Sequence, residues 1–125
     1  MRIVIETIPH AQHRYPTVGD YWTDADGTMQ VRVSEMADER HSLLVAVHEV
    51  IEAYLTKQRG ISEESITAFD MQHTADDDPW VDDPGHCPDA PYHREHVFAE
   101  CVERLFAFEM GVNWQEYDAG LMALP

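Results

Sequence analysis

Basic residues are scarce in this chain. Lysine and arginine number 8 against 24 aspartates and glutamates, which leaves a formal net charge of -16. A chain this acidic repels nucleic-acid phosphates, so no direct nucleic-acid binding is expected and an anionic substrate needs a cation to bring it in. No run of about 20 apolar residues is present, so no membrane span is expected. The amino terminus, Met1-Arg2-Ile3-Val4-Ile5-Glu6, lacks the long apolar core of a signal peptide, which points to a cytoplasmic protein. Cysteine is limited to 2 residues, Cys87 and Cys101. They are too few for a disulfide framework and read as free thiols in a reducing compartment. Without a CxxC pair, a cysteine-type structural zinc site is also out. A glycine-rich phosphate loop, a serine nucleophile elbow and a basic aromatic patch are missing as well.

What the chain does have is enough apolar residue, 44% of 125 positions, for one domain with one core over residues 1–125. Arg2 to Ile8 is short and β-branched and reads as a strand stopped by Pro9. A second strand begins around Val18 to Trp22. Asp24-Ala25-Asp26-Gly27 supplies hairpin chemistry, and Thr28 to Ser34 alternates Met29, Val31 and Val33 against Gln30, Arg32 and Ser34. A long helix is predicted from an Asp38 cap to Arg59, with Gly60 behind it. Ser62 caps a shorter helix carrying Ile66, Phe69, Asp70, Met71 and His73. Residues 74–91, with Pro79, Pro84, Pro88, Pro91 and runs of aspartate, form one acidic loop. A third helix opens at Pro91-Tyr92-His93 and ends near Met110, and its expected buried stripe is Phe98, Cys101, Val102, Leu105 and Phe108. Asn113 and Glu116 form a capping box for a short last helix. Trp80, Trp114 and Tyr117 read as exposed aromatics. The fold class that follows is α+β: a small N-terminal antiparallel β layer, then three to four helices, in two layers.

The chemistry concentrates in Leu43 to Leu55, an apolar helical stretch into which His48, Glu49 and Glu52 are set. At about 100° per residue, Leu44, Val47, Ile51 and Leu55 form an apolar stripe, with His48 and Glu52 one turn apart along its edge. An imidazole and a carboxylate so placed can grip a divalent cation. The line Val-Ala-Val-His48-Glu49-Val-Ile-Glu52 resembles the zincin signature, His-Glu-x-x-His, with Glu52 in place of the second histidine. That resemblance implies Glu49 as general base. The substitution leaves zinc as the first choice of ion, with magnesium or manganese as alternatives.

A third ligand is sought on the later helix, where His96, Glu100 and Glu103 share a face opposite the expected apolar stripe. His96 is the expected ligand, as a gluzincin-type metallopeptidase would supply one. Asp70, His93, Glu100 and Glu103 are further ligand or outer-sphere candidates, and His10, His13, His41, His73 and His86 read as surface residues. The leading expectation is a metal-dependent hydrolase acting on a small-molecule or peptide substrate. The pairs Glu49/Glu52 and Glu100/Glu103 also resemble the ExxE pairs of MazG-type nucleotide pyrophosphohydrolases, which gather carboxylates around magnesium. A non-enzymatic alternative is an acidic protein with a structural metal, or one whose charge imitates DNA for a host protein partner. Chain size, composition and layout resemble small proteins of bacteriophages and prophages, which implies the cytoplasm of an infected bacterium and no particular reaction.

Overall fold

The computed structural model describes residues 1–125. Strands β1 (Ile3–Ile8), β2 (Gly19–Thr23) and β3 (Met29–Ser34) form one sheet in the order β1-β3-β2. Met29, Val31 and Val33, the apolar members of the β3 alternation, are all buried, as the period-two pattern requires. β2 and β3 make the expected antiparallel hairpin, closed by Gly27 N–H donating to Asp24 O at 2.9 Å. β1, however, pairs parallel to β3, with Ile3 opposite Met29 and Ile8 opposite Ser34. The sheet is therefore mixed rather than antiparallel throughout. The cause is the path after Pro9. Ile8 and Gly19 both lie at the Ser34 end of β3, on opposite edges, so the connecting loop crosses over that end instead of reversing beside β1. Arg14 clamps the loop to buried Asp20 through two hydrogen bonds, at 2.7 and 2.9 Å, and His10 and His13 both reach the Ser34 hydroxyl.

Four helices follow: α1 (Glu39–Gln58), α2 (Glu63–Asp70), α3 (His93–Glu109) and α4 (Trp114–Met122). Asp38, Ser62 and Asn113 cap α1, α2 and α4 by accepting from backbone N–H groups of the first turn, as their sequence positions predict. His73 falls beyond the end of α2 and belongs to the acidic loop, where it bonds Asp78 at 2.8 Å. α1 packs on the sheet and runs antiparallel to α3. Arg40 reaches Met110, His48 meets Glu103, Glu52 meets His96 and Arg59 meets Glu95. The core is built from Val31, Val33, Leu44, Val45 and Ala53 with Ala107, Val112 and Tyr117. Tyr117 is 1% exposed and is a core residue, not a surface aromatic.

The rotation of α3 differs from the sequence expectation. Its inward face is Glu95, Ala99, Glu103 and Ala107, whereas Phe98, Leu105 and Phe108 are 53%, 69% and 82% exposed and Cys101 is exposed too. Ala99 and Ala107 let α1 approach closely, and the polar residues between them are held by partners on α1. α1 shows the same pattern. The middle of its buried face is His48 and Glu52 themselves, while Val47, Ile51 and Leu55 are only partly covered. No helix is long and apolar enough to cross a membrane.

Candidate metal centre

The buried faces of α1 and α3 bring His48, Glu52 and His96 to one point. His48 Nε2 lies 3.0 Å from Glu52 Oε2 and 3.1 Å from His96 Nδ1, and His96 Nδ1 lies 2.8 Å from Glu52 Oε2. His48 and Glu52 come from adjacent turns of one helix, and His96 from the facing turn of its antiparallel neighbour. All three residues are at most slightly exposed.

Each member of this triangle is also held from outside. His48 Nδ1 donates to Glu103 Oε1 at 2.7 Å, and the Tyr117 hydroxyl donates to the other Glu103 oxygen. His96 Nε2 pairs with Asp83 Oδ1 at 2.9 Å. The Tyr21 hydroxyl donates to Glu52 Oε1 at 2.8 Å. An ionised carboxylate only accepts, so each outer bond fixes the proton on the outer imidazole nitrogen. The inner atoms, His48 Nε2, His96 Nδ1 and Glu52 Oε2, are then lone pairs that face one another with nothing to donate. Such an arrangement calls for positive charge at its centre, and a carboxylate–histidine pair behind a ligand is the usual outer support of a metal-binding imidazole.

Protons on the imidazoles meet that demand. Burial pulls the His48 imidazole down, but bonds to Glu103 and Glu52 outweigh it and hold it up at about 11. His96 follows the same balance through Asp83 and Glu52 and is held up at about 10. Burial pushes Glu52 up, but the two imidazoles hold it down at about 2. Burial, and then the proximity of their carboxylate partners, keeps the Tyr21 and Tyr117 phenols well above their ordinary value, so both remain donors.

The other candidates divide. Glu103 is the outer partner of His48 and not a member of the triangle. Glu100 turns to His86, 3.2 Å away, so the two ExxE pairs do not converge as a carboxylate cluster; an imidazole stands between Glu52 and Glu103. His93 Nδ1 bonds the Gly85 carbonyl at 2.9 Å and takes no part. Asp70 accepts from the Tyr92 hydroxyl, and burial pushes its carboxyl up to about 6. Glu49 is half-buried against Gly19 of β2 and lies outside the hydrogen-bonded triangle. A Cβ at Gly19 would stand 2.6 Å from Glu49 Oε1, so a larger residue there would push this carboxyl from its place. Burial first, then the charge of Glu52, pushes Glu49 up to about 8.

Sequence reasoning named Glu103 among its outer-sphere candidates and missed the rest of the outer shell. Tyr21, Tyr117 and Asp83 carry no spacing signal toward His48 or His96, and His86 read as a surface residue although it lies edge-on to His96 with ring centroids 5.1 Å apart. Fold and site together describe a small α+β domain with a histidine–carboxylate cluster between two antiparallel helices. No protein-family model, curated protein or solved structure matches the chain.

Proposed function

We propose that this protein is a metal-dependent hydrolase, with His48, Glu52 and His96 holding one divalent ion. The observation that carries the reading is the convergence of His48 Nε2, His96 Nδ1 and Glu52 Oε2 within 3.1 Å of one another, with Glu103 behind His48, Tyr21 behind Glu52 and Asp83 beside His96. Two imidazoles and one carboxylate suit zinc first, and three protein ligands is the number that catalytic zinc sites use. When bound, such an ion polarises a carbonyl and lowers the pKa of water toward ~7.

The chain's own residues supply the rest. Glu49 sits one residue beyond His48 in α1, and its carboxylate is the general base of this reading. Tyr21 and Glu103 hold Glu52 and His48 in their liganding orientation. The unpaired thiols of Cys87 and Cys101 support action in a reducing compartment, the cytoplasm.

The test is metal analysis of untagged protein together with hydrolysis of a fluorogenic peptide library. His48→Ala and His96→Ala should each lower the bound metal by at least one equivalent. Glu49→Gln should keep it and lose hydrolysis. Retention of zinc by both histidine variants would remove the reading.

A further inference from the structure

Beyond this triangle, the acidic loop presents a second set of donors to the far side of His96. The 3-10 turn Pro84–His86 lies against the start of α3, and donor atoms of Asp83, His86 and His96 fall within 4.8 Å of one another. His86 Nε2 stands 3.4 Å from Asp83 Oδ2 and 3.2 Å from Glu100 Oε2. That nitrogen is sealed from solvent and yet makes no hydrogen bond with either carboxylate. A buried polar atom flanked by two acids but bonded to neither is an unmet demand that a cation at this point satisfies.

The backbone is shaped to the same end. A Cβ at Gly85 would lie 2.5 Å from His96 Cγ, so only glycine lets the turn press its peptide onto the imidazole. The Gly85 carbonyl is then anchored by His93 Nδ1 at 2.9 Å. Asp83 and His86 are thereby set on the two sides of Gly85, the residue that packs against His96.

We propose that Asp83, His86 and the outer nitrogen of His96, with Glu100 alongside, form a second divalent-cation site, so that the centre is binuclear with the His96 ring between the ions. This rests on the reading of His96 as a ligand of the first ion. Two nitrogens with carboxylate oxygens suit zinc or manganese. Filling the site forms a metal–Nε2 bond on His96 and breaks its N–H bond, and the proton passes to solvent. Ions separated by an imidazole ring are too far apart for the two-metal clamp on a transferring phosphoryl group, which needs a spacing of ~4 Å. The second ion instead sits at the loop edge, about half of Asp83 being open to solvent (48%), where it can receive an anionic group of a substrate that the acidic surface otherwise repels.

The experiment is a zinc titration of the full-length chain after EDTA stripping, read by calorimetry and by metal analysis after gel filtration. The wild type should take up two equivalents, His86→Ala one, His48→Ala one, and His96→Ala none. A wild type that binds one equivalent, kept in His86→Ala and lost in His48→Ala, overturns the second site and leaves the first. One equivalent lost in His86→Ala but kept in His48→Ala does the reverse, and a wild type that binds none overturns both. Cobalt(II) titration of the unmutated chain guards against variants that fail to fold. Two visible-absorption phases are expected, and one phase saturating at a single equivalent overturns the binuclear reading.

Discussion

At Glu103 both carboxylate oxygens are occupied, one by His48 Nδ1 at 2.7 Å and the other by the Tyr117 hydroxyl. The residue thus acts on the centre through an imidazole, fixing which nitrogen faces inward and making that nitrogen more basic. Glu103→Gln keeps the size and an acceptor but removes the charge. Its zinc dissociation constant, measured by competition with a chromophoric chelator, should rise about 10- to 100-fold. Tyr117→Phe should weaken zinc in the same direction, since it frees one Glu103 oxygen in a buried site. An unchanged constant in Glu103→Gln would mean that His48 is oriented by something else.

The helices carry a different lesson, and the rotation of α3 makes it testable. Ala107 is 1% exposed beneath α1, whereas its neighbour Phe108 is 82% exposed. Ala107→Leu should therefore overpack the interface and lower unfolding stability by about 1–3 kcal/mol. Phe108→Ser should move it by no more than about 0.5 kcal/mol. Urea midpoints of the two variants decide between this rotation and the one that apolar periodicity suggests. The caps at Asp38, Ser62 and Asn113 were legible because both partners of each bond lie within one turn. So was the HExxE helix, whose His48 and Glu52 are one turn apart. The inward face of α3 was not, because Glu103 is buried on account of a histidine 55 positions away. Local hydrophobicity ranks Phe98 and Leu105 above Glu95 and Glu103, and only the folded pairings reverse that order. Asp83 and His86 were illegible for the same reason. The parallel direction of β1 depended on where the loop after Pro9 led, which strand propensity does not encode.

For the molecule as a whole, the centre ties stability to pH with a sign that depends on the ion. Without metal, His48 and His96 titrate at about 11 and about 10, against an ordinary 6.5. A raised imidazole contributes stability that is complete below pH 6.5 and fades as pH climbs through those values. Glu49, pushed up to about 8, acts in the same direction from its ordinary 4.5 upward. Glu52, held at about 2, contributes above 4.5 and loses its contribution as pH falls toward 2. The chelated chain should thus be most stable in mild acid, near pH 5, and weaken steadily toward pH 9. Zinc reverses the trend over pH 5 to 8, because its ligands must first shed their protons. Urea unfolding with EDTA and with zinc across that range checks both slopes. A chelated protein that strengthens from pH 6 to 9 would contradict the raised imidazoles.

Glu52 and His96 stand 44 positions apart and meet only when α1 and α3 lie side by side. An unfolded chain therefore has no comparable chelate to offer. An ion held there as proposed would bind the folded chain alone, so chelation should shorten the protein's lifetime in the presence of protease.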